Sequence, residues 1–192
     1  MSDLIVGLVV FLGTHSLRMV ADGWRGGMLE RFGKNAWKAL YSLVSLLGLA
    51  LIVWGFERAR AAPVALYAPP VWLRHLNALF TLLAFVLLAA AYVPRNRLKA
   101  RIGHPMLAGV ALWALGHLLA TGNLRDVVLF GAFFVWAAAD FALSRRRDRR
   151  AGVTYPLESM TGNTLSLVIG LVGWIVFALW LHRILIGVDP LL

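Results

Sequence analysis

"TLSLVIGLVGWIVFALWLHRILI", residues 164–186, decides the architecture. It carries no charged side chain until Arg183 near its far end, and a helix of about 20 apolar residues is what crosses a hydrocarbon layer about 30 Å thick. The stretch does not alternate as a barrel strand would, and it is too long for one. In lipid it must therefore satisfy its amides within itself, as a helix. Five more apolar blocks precede it, at approximately 4–21, 36–56, 71–93, 105–121 and 124–143. The expected fold is all-α: a polytopic membrane bundle with six transmembrane helices, forming one domain over residues 1–192. Composition agrees, since 60% of the 192 residues are hydrophobic and mean hydropathy is +0.77. Charged residues make up 15%, against roughly 25% in a soluble domain.

The net charge of +10 would suit nucleic acid, but its placement points to topology instead. Arg18, Arg25, Arg31, Lys34, Lys38, Arg95, Arg97, Lys99, Arg101, Arg145, Arg146, Arg147, Arg149 and Arg150 flank the loops after the first, third and fifth blocks, fourteen of the 19 basic residues. Arg58, Arg60, Arg74, Arg125 and Arg183 are left for the other face. Positive residues stay inside, so these three loops are expected in the cytoplasm and both termini outside. "SRRRDRR" at 144–150 reads first as the charge run that ends the fifth block, and second as a site for anionic headgroups. Trp37, Trp54, Trp72, Tyr92, Trp174 and Trp180 are read as interfacial aromatics. The N-terminal block lacks a basic n-region and a small-residue cleavage site, so it reads as a retained first helix.

The absence of cysteine excludes disulfides, thiolate ligands and C-x-x-C-H haem attachment. Phosphate-binding glycine loops and the H-E-x-x-H zinc motif are absent too. Candidate chemistry therefore falls to histidine. His75 and His182 stand beside arginines at span ends and read as interfacial. His104 precedes Pro105, the first-turn proline of the fourth block, and reads first as a polar cap. Asp140 is expected to pair with the nearby arginine run.

His15 and His117 lie well inside the first and fourth blocks, where ionisable groups face the bundle interior and mark function. Phe11, His15, Arg18 and Asp22 are spaced to share one helical face, on which Arg18 and Asp22 are expected to pair. Gly109, Trp113, His117 and Thr121 share another. There the glycine admits a planar group or a neighbouring helix, and the tryptophan flanks it. Two buried histidines can simply pack and hydrogen-bond, but a b-type haem gives both neutral imidazoles a purpose as axial ligands. His104 and His117 are about 20 Å apart along a helix and about 220° around it, whereas trans axial nitrogens lie only about 4 Å apart. They cannot share one iron, which leaves His15 with His117 or His15 with His104.

"THSLR" (14–18), the following "GWRGGMLERFGKNAWKALYSLVSLLGL" (23–49) and "GHPMLAGVALWALGHLLATGN" (103–123) resemble the NnrU family of bacterial membrane proteins. That family is related to the plant zeta-carotene isomerase. The most specific matches are the His-Ser of the first block and the His-Pro-x9-Trp-x3-His pattern of the fourth. The resemblance implies association with denitrification, in nitrite and nitric oxide reduction. From the isomerase it implies a haem b that serves cis-trans isomerisation of a lipophilic polyene, with axial histidines at His15 and His117 and a third motif histidine at His104. Ala114 stands where the plant enzyme has a cysteine, so ligand exchange through that thiolate is not implied. A rival from another class is a non-catalytic membrane helper of nitrite or nitric oxide reductase components. A transporter is disfavoured because no matched pair of broken helices is visible.

Overall fold

The computed structural model describes residues 1–155 and 159–191. In chain order the helices are α1 (Ser2–Val20), α2 (Asp22–Arg60), α3 (Trp72–Tyr92), α4 (Arg97–Ile102), α5 (Pro105–Ala120), α6 (Leu124–Arg150), α7 (Met160–Val176) and α8 (His182–Ile186). A π-helical turn, Phe177–Leu181, joins α7 to α8. Among the described residues the one isolated β-bridge is antiparallel, Ala65 with Asn123.

Among the described residues five helices are long and apolar enough to cross a bilayer: Ser2–Val20, Asp22–Arg60, Trp72–Tyr92, Leu124–Arg150 and the run Met160–Ile186, with mean hydropathy from 1.5 to 2.3. α5 is equally apolar but has 16 residues, about 24 Å of helix. The surfaces of these helices are greasy: Val9 is 67% exposed, Leu43 66% and Ile184 73%. In water so much contiguous apolar surface would be an aggregation site. Against lipid tails it carries no such cost, because hydrocarbon is as apolar as leucine.

The described residues form two compact units, Met1–Leu66 with Asn123–Ala132, and Tyr67–Gly122 with Phe133–Leu192. In the first, α1 lies on α2 through small residues. Gly48, Ile52, Gly55 and Ala59 of α2 are buried on one face, opposite Leu4, Gly7 and Leu8 of α1. A side chain at Gly7 would come 2.6 Å from the Ile52 amide nitrogen, and one at Gly48 would come 2.8 Å from that of Phe11. Backbones this close are the usual solution where no hydrophobic force drives helices together.

Two breaks shape this unit. Ala21 (φ −143°, ψ 42°) separates α1 from α2, so the expected face of Phe11, His15 and Arg18 does not continue to Asp22. Asp22 starts the next helix and pairs with Arg25 at 2.8 Å. Gly33 (φ 80°, ψ 161°) then breaks α2 itself, in a conformation essentially restricted to glycine. The charged segment before Gly33 is thus set apart from the apolar segment that begins at residue 36.

In the second unit α3 packs against both α5 and α7. Gly109 of α5 seats against the Ala84 carbonyl, where a Cβ would lie 3.0 Å from the oxygen. Gly170 of α7 seats on Val86, 2.5 Å from its Cα by the same measure. Asn96, 1% exposed, ties α3 to α4: its amide donates to the carbonyls of Ala90 (2.8 Å) and Val93 (2.6 Å), and its side-chain oxygen accepts from the Lys99 N–H (2.7 Å). Ser159 caps α7 by accepting from the Gly162 N–H and donates its own amide to the Arg95 carbonyl. Trp174, one of the aromatics read as interfacial, also ties α7 to α3: its indole donates to the Thr81 hydroxyl at 3.1 Å, the kind of partner that a half-buried tryptophan N–H finds.

Candidate functional site

In the first unit, the triplet Thr14, His15, Ser16 sits inside an apolar helix, and each side chain bonds back to its own backbone. Thr14 donates to the Val10 carbonyl (2.7 Å) and Ser16 to that of Leu12 (2.6 Å). His15 Nδ1 lies 2.7 Å from the Phe11 carbonyl. A carbonyl only accepts, so Nδ1 carries the proton and a neutral ring has its lone pair on Nε2. The imidazole stacks on Phe11 with centroids 4.2 Å apart and meets the edge of Tyr41 of α2 at 5.3 Å.

The second unit repeats this local design. His117 Nδ1 lies 2.9 Å from the carbonyl of Trp113, four residues earlier, and the two rings are 5.3 Å apart. Trp113 is itself fixed by an edge contact with Phe133 of α6 at 5.6 Å. In each unit a histidine therefore donates Nδ1–H to the carbonyl of an aromatic residue one turn back and lies against that residue's ring, stacked for His15 and tilted by 54° for His117. Ligating histidines commonly donate their other N–H in this way, which fixes tautomer and orientation. Gly109, on the same face, is taken up by α3 and serves the approach of a neighbouring helix. Ala114 is fully buried.

His104 has another setting, also in the second unit. Gly103 turns the chain from α4 into α5 with φ +79°, and any side chain there would strike the Tyr155 hydroxyl and Arg145 Nη1. Pro105 opens α5 and His104 is its N-cap residue. His104 Nε2 lies 2.7 Å from Asp148 Oδ2, with the two side chains 26% and 17% exposed. The Tyr155 hydroxyl donates to the same carboxylate oxygen. Burial, and then this bond to Asp148, raises the Tyr155 phenol above its ordinary value. His104, expected as a polar cap or an alternative ligand, is thus the first member of a His-Asp-Tyr chain. Asp148 and Tyr155 escaped sequence reasoning, because nothing in helical spacing links a residue at the start of one helix to residues beyond the apolar part of the next.

The remaining ionisable candidates are held locally. Asp140 accepts from the Ser144 hydroxyl at 3.0 Å, and Arg147 donates to that hydroxyl at 2.9 Å, so serine mediates the expected contact with the arginine run. His182 Nδ1 lies 2.7 Å from the Val188 carbonyl. His75 stands in the first turn of α3. Among the described residues no group of three or more His, Cys, Asp or Glu is arranged to hold a metal ion.

These features define a class: an all-α, multi-pass membrane protein with histidines seated inside apolar helices. The model of the NnrU protein family matches residues 3–190, and the chain belongs to that family. No curated protein and no solved structure gives a match.

Proposed function

We propose that this chain is a haem b-binding protein of the bacterial inner membrane, serving denitrification and nitric oxide metabolism, with His15 and His117 as the residues that would hold the iron. The observation that carries the reading is the shared local setting of the two histidines, each with its Nδ1–H committed to a carbonyl four residues earlier. Nε2 is then the donor nitrogen, and each ligand is neutral, which suits a site in hydrocarbon. Phe11 and Trp113 restrict ring rotation. Trp113 screens one side of His117, while Gly109 lets α3 hold α5 in place. His104 engages Asp148 through Nε2, which favours His117 as the partner of His15.

The bound group would supply a redox-active iron able to act on a double bond of a lipophilic polyene such as zeta-carotene, and His15 and His117 would hold it. The chain's own part is to orient two imidazoles and exclude water. The topology proposed is six crossings with both termini in the periplasm, supported by the fourteen basic residues that flank alternate loops.

An absorption spectrum of detergent-purified protein from haem-replete cells tests the reading. A Soret band is expected, lost in His15→Ala and in His117→Ala and kept in His75→Ala. A colourless wild-type protein would overturn it.

A second reading, a non-catalytic helper of nitrite or nitric oxide reductase components, is favoured by the scarcity of acid-base groups. Asp140 is engaged by Ser144, and Ala114 offers no thiolate. Conversion of a cis-polyene by reduced protein in liposomes separates the two: turnover supports the isomerase, and its absence in a haem-loaded protein supports the helper.

A further inference from the structure

A groove of about 410 Å³ runs along the second unit between α5 and the later part of α6, open along one side and lined by apolar side chains. Ala108, Ala111 and Leu115 form its α5 wall, and Phe134, Ala138 and Phe141 its α6 wall. The alanines keep it wide, and its volume is in the range of sites that take a small ligand.

Helical spacing shows what lies at one end. On α5, His104 stands one turn before Ala108. On α6, Arg145 stands one turn after Phe141, and Asp148 follows three residues later, so both continue the groove's own face. Their contacts agree: His104 meets Asp148 at 2.7 Å, and Arg145 Nη1 is 2.7 Å from the point where a Gly103 side chain would begin. Within residues 144–150, five arginines surround the single acid Asp148. The groove is thus an apolar channel with one strongly basic end.

We propose that this groove binds an anionic phospholipid, with an acyl chain between α5 and α6 and the phosphate at Arg145. Charge complementarity selects this occupant. A neutral chain would leave the basic end unused, and a free anion would leave the apolar walls bare. Each basic residue at a membrane surface is worth about a fivefold gain in affinity for anionic lipid.

Native mass spectrometry of the full-length protein tests this, with dioleoyl phosphatidylglycerol, dioleoyl phosphatidylcholine or inorganic phosphate added to the micelles. Wild-type protein is expected to retain phosphatidylglycerol in preference to phosphatidylcholine, with no displacement by phosphate. Arg145→Gln is expected to cut that preference about fivefold, and Ala138→Trp, which fills the groove, to abolish retention of both lipids. Should Ala138→Trp fail to fold by circular dichroism, Ala111→Phe replaces it. Equal retention of the two lipids by wild-type protein overturns the proposal. So does displacement by phosphate alone, or undiminished retention in a folded groove-filled variant.

Discussion

His104 at the start of α5 and Asp148 near the end of α6, 44 residues apart in sequence, meet with Nε2 2.7 Å from Oδ2. The contact joins two helices at their basic ends and brings in Tyr155, whose hydroxyl bonds the same oxygen. The two helices are thereby linked by side chains at this end.

That link gives a pH dependence at the alkaline end. Folding favours the neutral phenol, since burial and the bond to Asp148 raise its pKa above the ordinary value. Its contribution to stability is therefore complete below the unfolded value of about 10 and is lost as pH rises through the folded one. Thermal unfolding of the wild type is expected to fall more steeply with alkaline pH than that of Tyr155→Phe. At neutral pH the variant is expected to be less stable by about 1 kcal/mol. Parallel alkaline slopes would remove Tyr155 from this role.

Close contact between α1 and α2 makes a sharper prediction. Gly7→Ala drives a methyl to 2.6 Å from the Ile52 amide nitrogen, so the helices must separate, at an expected cost of about 1–3 kcal/mol. Gly13 lies on the same helix with nothing within 4 Å of its virtual Cβ. Gly13→Ala is expected to be neutral or stabilising by about 0.4–1 kcal/mol. Unfolding of the two variants side by side distinguishes local packing from a general dislike of alanine.

Between α3 and α7 the Trp174 indole donates to the Thr81 hydroxyl. Trp174→Phe and Thr81→Val are each expected to cost about 0.5–1.5 kcal/mol beyond any change in packing. Both residues serve one bond, so a double-mutant cycle should show coupling of about 0.5 kcal/mol or more. Additive losses would mean that the bond contributes nothing net.

The apolar blocks were legible because in lipid the backbone leaves a sequence with little choice. The block at 71–93 became Trp72–Tyr92, and that at 164–186 became the run from α7 into α8. The polar joints were not legible. α4 and the segment before Gly33 are short and charged, and such segments carry no strong period. Gly33 and Gly103 signal turns only once their positive φ is seen. Spacing placed His15 and Arg18 on one face correctly, but could not show that Ala21 would end the helix before Asp22. Gly109 was readable as a glycine that admits something, and only packing showed that α3 is admitted. His15 and His117 stood out as imidazoles in apolar surroundings, whereas the carbonyls that fix their tautomers belong to the fold.

The length of α5 leaves its crossing as the point on which topology turns. Its 16 residues make about 24 Å of helix, short of a hydrocarbon layer about 30 Å thick unless the bilayer thins or the ends snorkel, at a fraction of a kcal/mol per Å. If α5 crosses, the loop after α2 and the C-terminus share one side and the arginine run ending α6 lies on the other. If it does not, that run joins the loop after α2. The chain contains no cysteine, so Ala62→Cys, Arg146→Cys and Asp189→Cys each carry a unique label. A membrane-impermeant maleimide added to spheroplasts is expected to label Ala62→Cys and Asp189→Cys and to spare Arg146→Cys until the membrane is opened. Labelling of Arg146→Cys together with Ala62→Cys in sealed spheroplasts would show that α5 does not cross. The basic residues already weigh against that outcome, since it would move the five arginines at 145–150 to the face that positive loops avoid.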